Sequence, residues 1–286
     1  MSYQYLTKEN IQQFIKQALE EDIRDGDHSS LAAIPKGTQN TAQLIIKDEG
    51  VLAGVEMAQH IFKAVDPSLE LELFKKDGEW VKRGEIGLKV HGESASILSA
   101  ERLVLNCLQR MSGIATYTHN LNKLISHTSC KLLDTRKTTP NFRIAEKWAV
   151  QIGGGQNHRF GLFDMVMLKD NHNDFAGGIT ASVNATKAYL KEHKLDLRIE
   201  VETRNIEEVK EALAVGGVDV IMLDNMEVDE MKKAVEIIDG QCETEASGGI
   251  TEDTIAAKAE TGVDYISVGA LTHSYKSLDM SLKAVS

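Results

Sequence analysis

The chain has 286 residues, 42% of them hydrophobic and 5% aromatic, and a formal net charge of −11 at pH 7. This length suffices for one large domain or for one medium and one small domain. The apolar residues are mainly Val, Ile, Leu and Ala, which is typical of buried parallel strands flanked by helices. The negative net charge argues against a nucleic acid or an anionic membrane as the main partner.

Three further features indicate the cellular setting. The segment from Met1 to Asn10 is polar and lacks the apolar core of a signal peptide. No apolar run approaches the ~18 residues that a membrane helix needs. Cys107, Cys130 and Cys242 are far apart and odd in number, which fits neither a disulfide framework nor a paired-cysteine metal site. We expect a cytoplasmic protein with three reduced, mostly buried thiols.

The first third of the chain predicts a mixed α/β unit. Thr7 is a suitable N-cap for a helix, because the apolar residues that follow it recur at the spacing of one buried helical face. The helix from Ser94 to Ala115 is long and carries several leucines. Between the two helices, one strand-like run alternates apolar with acidic residues, as a half-buried strand does. The strand-like runs are Thr41–Lys47, Leu69–Phe74 and Glu85–His91.

From about Cys130 the pattern changes to alternating strands and helices. The last four predicted strands recur about every 22 residues, a βα period whose crossovers require a parallel sheet. Six such units favour a (βα) barrel, complete or incomplete, over an open sheet, and no dinucleotide-binding fingerprint follows a strand. The predicted strands are Lys131–Asp134, Asp164–Leu168, Leu197–Glu202, Asp219–Leu223, Glu243–Ala246 and Tyr265–Val268. The predicted helices include Ile206–Val215, Val228–Ile238 and Thr254–Thr261.

Charged residues and glycines follow the ends of these strands, where a parallel barrel carries its chemistry. The segment from Lys131 to His172 has seven Lys and Arg against four Asp and Glu, in a chain that is acidic as a whole. Such a basic segment indicates a small anionic ligand, although chance clustering on a solvated face is the alternative. The residues at the strand ends are Arg136, Lys137, Lys169, Glu202, Asp224, Ser247, Gly248, Gly249 and Gly269.

These residue types suggest specific ligands. Glycines after the last two strands favour a phosphate held by backbone N–H groups, with ordinary tight turns as the alternative. Glu202 and Asp224 suit Mg²⁺ or a ribose, although salt bridges to neighbouring cations would also explain them. His158 and Arg159 end a triple-glycine loop, and Arg can bind a carboxylate through two hydrogen bonds. No His and Cys residues have zinc-site spacing.

An ordered set of motifs resembles the quinolinate phosphoribosyltransferase family over essentially the whole chain. Each motif is weak alone, but the combination is specific. The motifs are Ala100–Asn106, Ser112–Thr116, Asp134–Pro140, Glu146–Lys147, Gly153–Arg159, Lys169–His172, Glu200–Glu202, Leu223–Asn225, Ser247–Gly249 and Ser267–Ser274.

The resemblance implies a fold and an activity. The fold is an N-terminal α/β sandwich domain (1–114), joined by the C-terminal tail (275–286), and an incomplete (βα) barrel of the type II phosphoribosyltransferases (115–274). The activity is that of a pentosyltransferase. It transfers phosphoribosyl from phosphoribosyl pyrophosphate to quinolinate with decarboxylation, which gives nicotinate mononucleotide, pyrophosphate and CO₂ in de novo NAD biosynthesis. At least a homodimer is implied, because in this family one subunit's barrel and the other's N-terminal domain form the site.

The resemblance also assigns roles to residues. The quinolinate ligands would be Arg136, His158, Arg159 and Lys169, with Arg102 arriving from the partner subunit. The ligands of phosphoribosyl pyrophosphate would be Lys137, Glu202, Asp224, Ser247, Gly248, Gly249 and Gly269. Of these, Lys137, Glu202 and Asp224 would act in catalysis, and Glu202 and Asp224 would hold the cofactor Mg²⁺ directly or through water.

The chain departs from the family pattern at two places, neither at a proposed ligand contact. Asn141-Phe142 stands where Gly-Leu is usual, and Asn tolerates positive φ second best to Gly. Ser29 stands where Thr is usual.

Three rival functions stay open at this point. The first is a Schiff-base aldolase with Lys169 as the nucleophile. The second is a related pyrophosphorylase with another acceptor, either nicotinate or that of the molybdate-operon paralogues. The third is a non-catalytic binding module.

Overall fold

A computed structural model describes residues 5–285, and the chain divides into two compact units. The first unit extends to His119 and also contains Lys137–Gly154 and the chain from Ala270 onward. The second unit contains Asn120–Arg136 and Gly155–Gly269.

The secondary structure alternates along the chain as the sequence pattern predicts. The helices are α1 (Lys8–Asp22), α2 (His28–Ala33), α3 (Val55–Val65), α4 (Ser94–Leu124), α5 (Arg143–Ile152), α6 (Asp170–Ala176), α7 (Ile179–His193), α8 (Ile206–Val215), α9 (Val228–Ile238), α10 (Ile255–Ala259) and α11 (Ala270–His273). The strands are β1 (Gln39–Ile46), β2 (Gly50–Val51), β3 (Glu70–Leu73), β4 (Trp80–Val81), β5 (Ile86–Glu93), β6 (Lys131–Leu133), β7 (Val166–Leu168), β8 (Ile199–Thr203), β9 (Val220–Asp224), β10 (Glu243–Ser247), β11 (Tyr265–Ser267) and β12 (Met280–Ala284).

The first unit is built on an antiparallel sheet in the order β12-β1-β5-β3. Helix α1 starts as predicted, with the Thr7 side chain accepting a hydrogen bond from the Asn10 N–H, and it buries Ile11 and Ile15. The run Leu69–Phe74, predicted to be a half-buried strand, forms β3. The predicted burial is wrong, because β3 is the edge of the sheet and its residues are exposed or only partly covered. The tail strand β12 pairs with β1 at the opposite edge.

Helix α4 continues to Leu124, beyond the end predicted at Ala115. A glycine inside a helix usually weakens it, but Gly113 has a packing reason. A Cβ at this position would lie 2.4 Å from the carbonyl oxygen of Lys276. Glycine is needed at position 113 because the tail backbone packs against the helix there. This contact could not be predicted from local sequence.

The segment Lys137–Gly154 belongs with the first unit, whereas the sequence division placed it inside the barrel range 115–274. Its helix α5 packs on α4. Glu146 is fully buried, and the Arg110 guanidinium donates to its carboxylate at 2.9 Å. Asn141 precedes this helix, at the position where glycine is usual. Its φ of +61° is a left-handed conformation, which glycine adopts readily and Asn tolerates second best.

The second unit is a six-stranded sheet in the order β6-β11-β10-β9-β8-β7, and every pair in it is parallel. If the two ends of this order were joined, the strands would follow one another around a circle in chain order, from β6 through β7 to β11. The sheet is therefore a barrel whose ring is open between β6 and β7, as the sequence predicted. Helices α8 and α9 have the predicted bounds, and α10 is shorter than the predicted Thr254–Thr261.

The thiols are free, as expected. Cys107 and Cys130 are buried, which raises the pKa of each to about 12, and Cys242 is half-buried. Among residues 5–285, no helix combines the length and the apolar character that crossing a membrane requires.

Candidate active site

The second unit brings most of the predicted site residues to one edge of its sheet, because parallel strands end on the same side. Lys137 and Arg102 belong to the first unit and are exposed there. The carbonyl oxygen of Lys137 accepts a hydrogen bond of 2.9 Å from the Thr272 hydroxyl. The predicted residues of the second unit are Arg136, His158, Arg159, Lys169, Glu202, Asp224, Ser247, Gly248, Gly249 and Gly269.

Lys169 and Glu202 form an ion pair across the neighbouring strands β7 and β8, with the ammonium nitrogen 3.3 Å from Oε2. The Glu202 side chain is 9% exposed and that of Lys169 is 48% exposed. The side-chain amide of Asn173 donates to the carbonyl oxygen of Glu202 at 3.4 Å, and the Ser182 hydroxyl donates to this same amide's oxygen at 2.6 Å. The backbone at Glu202 is therefore held in place and its carboxylate is buried, while the Lys169 ammonium stays accessible to a ligand.

Arg136 and Arg159 form a cationic pair. Burial lowers the pKa of Arg159, and the positive charge of Arg136 lowers it further. The Arg159 guanidinium donates to the carbonyl oxygen of Met165 at 3.3 Å, and both arginines are only partly covered. Two neighbouring guanidinium groups form a favourable site for an anion, and planar carboxylates suit their geometry.

The turn after β10 contains two glycines with positive φ, +88° at Gly248 and +59° at Gly249. A Cβ on Gly248 would lie 2.2 Å from Oδ1 of Asn225, so any other residue there would have to displace Asn225. A Cβ on Gly249 would meet nothing within 4 Å, so its backbone faces open space that a ligand can enter. The ammonium of Lys258 lies 3.4 Å from the carbonyl oxygens of Met226 and Gly248 and ties this turn to the one after β9.

Asp224 ends β9 and is partly exposed. Its Oδ2 accepts a hydrogen bond of 2.7 Å from the side-chain amide of Asn225, a residue in the left-handed conformation. In the register of β8 and β9, Glu202 lies opposite Met222, two residues before Asp224. Both acids therefore lie near the carboxyl ends of adjacent strands.

His158 lies in a buried cluster with two glutamates, an arrangement that the sequence did not predict. Its Nε2 is 2.8 Å from Oε2 of Glu200 and 3.3 Å from Oε2 of Glu245. Its side chain is 8% exposed. Its Nδ1 accepts a hydrogen bond of 2.7 Å from the backbone N–H of Arg159. Asp134, which follows β6 and is fully buried, accepts from the backbone N–H of His158 at 2.8 Å.

The His158 cluster retains protons at neutral pH. Burial lowers the pKa of His158, but Glu200 and Glu245 outweigh it and raise this pKa to about 10. Burial raises the pKa of Glu200, and the charge of Glu245 raises it further. Such protons belong to the cluster as a whole. The imidazole could take a second proton only on Nδ1, which accepts the Arg159 N–H in this geometry, so the extra proton of the cluster lies on a glutamate rather than on the ring.

Sequence reasoning missed Glu200, Glu245 and Asp134 as functional residues. A signal was present, because Glu200 and Glu245 lie inside predicted strands of a buried parallel sheet, and charged residues are almost never fully buried without partners. The partner itself could not be identified, because His158 is more than 40 residues away from either glutamate in the sequence.

Comparisons with known proteins show which family the chain is similar to. The model of the quinolinate phosphoribosyl transferase C-terminal domain matches residues 114–283, and that of the N-terminal domain matches residues 27–112. The chloroplastic nicotinate-nucleotide pyrophosphorylase [carboxylating] of Oryza sativa is 50% identical over 94% of this chain and 76% of its own length. The probable enzyme of the same name from Bacillus subtilis is 43% identical over 92% of this chain and 89% of its own.

Solved structures agree as well. NadC from Streptococcus pyogenes matches with a TM-score of 0.91 and 39% identity over 98% of this chain and 99% of that chain. The nicotinate-nucleotide pyrophosphorylase from Francisella tularensis matches with a TM-score of 0.90 and 38% identity over 98% of each chain.

The fold and the site define a type II phosphoribosyltransferase, in which an incomplete barrel presents cations and a glycine turn at its strand ends. The chain belongs to the quinolinate phosphoribosyltransferase family, the decarboxylating pentosyltransferases that make nicotinate mononucleotide in NAD biosynthesis. The fold class, family and activity predicted from the sequence are confirmed.

Proposed function

We propose that the chain carries out its family's reaction at the strand ends of the second unit, where the arginine pair binds quinolinate. Arg136, Arg159 and Lys169 would hold the two carboxylates. The observation that carries this assignment is that two partly covered guanidinium groups, Arg136 and Arg159, are neighbours: burial lowers the pKa of Arg159, the charge of Arg136 lowers it further, and an anion between them is favoured. A nicotinate-selective site would have no need for so many cations.

Phosphoribosyl pyrophosphate would bind at the other strand ends. Ser247, Gly248, Gly249 and Gly269 would hold its 5′-phosphate, with the open face of Gly249 admitting the phosphate to backbone N–H groups. Glu202 and Asp224 would contact the ribose, and Lys137 would contact the pyrophosphate.

Mg²⁺ is the expected cofactor, and the donor atoms fit it. Glu202 and Asp224 supply carboxylate oxygens near the carboxyl ends of adjacent strands, and Mg²⁺ prefers oxygen ligands that it shares with substrate phosphates and water. The two carboxylates would hold the ion directly or through water. When bound, Mg²⁺ would neutralise part of the charge on the pyrophosphate leaving group.

In the reaction, the ring nitrogen of quinolinate forms a bond to the anomeric carbon while the bond to pyrophosphate breaks. Glu202 and Asp224 favour the positive charge that develops on the sugar, and Lys137 offsets the charge of the leaving group. The carboxylate next to the alkylated nitrogen then leaves as CO₂, because the pyridinium stabilises the carbanion, and this carbanion takes a proton from water to give nicotinate mononucleotide. Orienting the two substrates can lower the barrier by roughly 7–11 kcal/mol in favourable cases.

The direct test is to incubate the protein with quinolinate, phosphoribosyl pyrophosphate and Mg²⁺ and to measure CO₂ and pyrophosphate, which should appear in equal amounts. Lys137→Ala should reduce turnover far more than it weakens quinolinate binding, because the proposed role of Lys137 is confined to the leaving group. Nicotinate in place of quinolinate is the control acceptor. Equal turnover of nicotinate would refute the assignment of the carboxylate ligands.

A homodimer is part of the proposal, with Arg102 of the partner subunit completing each quinolinate site. Mixing Arg102→Ala with Lys169→Ala tests it, because each variant alone has two defective sites. In a mixed dimer one site carries both substitutions and the other neither. Random reassociation should restore about a quarter of wild-type activity if sites are shared between subunits. Absence of any recovery in dimers shown to exchange would refute a shared site.

The cytoplasmic location expected from composition is also a proposal, because plant relatives are named as chloroplastic or mitochondrial proteins. Fractionation of cells that express the protein tests it.

A further inference from the structure

Lys258 joins two turns that the proposed function assigns to one substrate. The residue lies on α10, and its ammonium nitrogen is 3.4 Å from the carbonyl oxygens of both Met226 and Gly248. Met226 comes two residues after Asp224, a proposed ligand of the ribose, and Gly248 belongs to the turn proposed to hold the 5′-phosphate. One side chain therefore donates to the backbone of both turns, although it belongs to neither.

The bond to Gly248 determines how the next peptide group is oriented. A trans peptide is planar, so the carbonyl of one residue and the N–H of the following residue point in opposite directions. The carbonyl of Gly248 is directed at Lys258, and the N–H of Gly249 is therefore directed away from it. Gly249 is exposed, and within the described part of the chain its N–H has no hydrogen-bond partner. A Cβ there would meet nothing within 4 Å, so this donor lies beside open space.

The peptide between the two glycines needs a partner to keep this orientation. Gly248 and Gly249 have φ of +88° and +59°, and glycine adopts positive and negative φ about equally well. If this peptide turned over, the Gly249 N–H would face away from the ligand side. A hydrogen bond from a charged donor is stronger than one between neutral groups. The ammonium of Lys258 therefore favours one orientation of a peptide that is otherwise free to choose.

A direct ion pair between Lys258 and the phosphate is the competing explanation. The ammonium is directed at two carbonyl oxygens, on the side of the peptide opposite to the Gly249 N–H. Burial lowers the pKa of Lys258, and the negative charges of Glu227 and Asp224 partly offset this effect. The same two carboxylates compensate the charge of the ammonium, which weakens its attraction for an anion but leaves its hydrogen bonds intact. The surroundings of Lys258 therefore favour an indirect role.

We propose that Lys258 is a positioning residue for phosphoribosyl pyrophosphate, which holds the Gly248 carbonyl so that the Gly249 N–H faces the 5′-phosphate, and that its ammonium does not itself contact the phosphate. The inference rests on the proposed function, in which the turn after β10 binds that phosphate. Through its second bond, to Met226, the same ammonium keeps the turn that carries Asp224 in register with the phosphate turn.

The kinetics of Lys258 variants test this role. Lys258→Met keeps an unbranched apolar stem and removes the donors, so it should raise the KM for phosphoribosyl pyrophosphate about tenfold, the effect of losing a hydrogen bond to a charged group. The KM for quinolinate should stay within about twofold, because its proposed ligands lie at other strand ends. Lys258→Arg keeps charged donors and should restore most of the affinity. Lys191→Met, at an exposed position in the last turn of α7, is the matched control.

The peptide itself can be observed in the ligand-free protein. After labelling with [1-¹³C,¹⁵N]glycine, an HNCO spectrum shows only the peptides between consecutive glycines. The chain has five of these, at 153–154, 154–155, 177–178, 216–217 and 248–249. Loss of one signal in Gly249→Ala identifies the 248–249 peptide. In Lys258→Met the carbonyl carbon of this peptide should shift upfield, because it loses its donor, while the other four signals should stay in place.

Titration with ribose 5-phosphate gives a binding measurement that needs no turnover. The ligand should shift the Gly249 N–H signal of the wild-type protein, because the phosphate accepts this hydrogen bond. Lys258→Met should need about tenfold more ribose 5-phosphate for the same shift, and Lys191→Met should behave like the wild type.

The possible outcomes separate the two levels of the argument. An unmoved 248–249 signal in ligand-free Lys258→Met would overturn the positioning role, and together with a raised KM for phosphoribosyl pyrophosphate it would indicate direct contact with the phosphate. An unchanged KM for phosphoribosyl pyrophosphate in Lys258→Met would overturn the role as well. Absence of quinolinate turnover in the wild-type protein would sink the proposed function, while the ligand-free spectra and the ribose 5-phosphate titration would still decide the role of Lys258.

Discussion

Lys169 and Glu202 lie 3.3 Å apart across β7 and β8, so that a proposed ligand of quinolinate contacts a proposed ligand of the ribose. The pair joins the two halves of the site, because its carboxylate is buried while its ammonium is about half exposed. A substrate carboxylate that approaches Lys169 therefore meets an ammonium that a neighbouring carboxylate already orients.

Replacing Lys169 by Gln should raise the KM for quinolinate by roughly 10- to 100-fold, because a hydrogen bond to a charged group contributes about 1.5–3 kcal/mol. Steady-state kinetics with each substrate varied in turn would measure it. Lys210→Gln is the control, since this lysine pairs with Glu207 on the surface of α8. An unchanged KM for quinolinate in Lys169→Gln would argue against Lys169 as a carboxylate ligand.

Gly248→Ala should destabilise the protein more than Gly240→Ala does. Both glycines have positive φ, which costs an alanine about 1–2 kcal/mol. Only at Gly248 does the added Cβ also collide, 2.2 Å from Oδ1 of Asn225, whereas at Gly240 it meets nothing within 4 Å. Urea unfolding of the two variants measures the difference. Equal losses would show that the turn yields to the extra atom without cost.

Asp27 caps α2 and should make stability depend on acidity. Its carboxylate accepts from the Ser30 hydroxyl and from the Ser30 N–H, which lowers the pKa of Asp27 below its ordinary value. A carboxyl whose pKa is lowered on folding stabilises the protein above its ordinary pKa, and this contribution is lost as the pH falls through the lowered value. Asp27→Ala should cost about 1 kcal/mol at pH 7, and less at pH 3.

Asp27→Asn provides the control, because it keeps the capping oxygen without the charge and should lose less stability at pH 7. Urea titrations of the three proteins at both pH values would give the free energies of unfolding. A difference between wild type and Asp27→Ala that is the same at both pH values would contradict the role of the ionised cap.

The thiols should differ in reactivity. Burial raises the pKa of Cys107 and Cys130 to about 12, and only a thiolate reacts with a disulfide reagent. Cys242 is half-buried and should be the first to react in the native protein. Titration with Ellman's reagent, with Cys242→Ser as the comparison, measures it. Fast labelling in native Cys242→Ser would show that a buried thiol is exposed by local opening.

Local sequence determined much of this protein. The apolar and polar periodicity predicted the bounds of α8 and α9, the six strands of the barrel to within two residues, and the residues at each strand end. These predictions succeed because helix and strand periods are set within a few residues of chain. The ordered motifs then identified the family.

Tertiary structure alone decided what those residues contact. Position 113 of α4 needs glycine because the tail backbone packs against the helix there. The segment Lys137–Gly154 belongs to the first unit because α5 packs on α4. His158, on a loop, meets Glu200 and Glu245 only because β8 and β10 bring these two side chains together. Periodicity fixes which face of a strand a residue occupies, but strand register and barrel closure, which depend on contacts far apart in the chain, decide what that face meets.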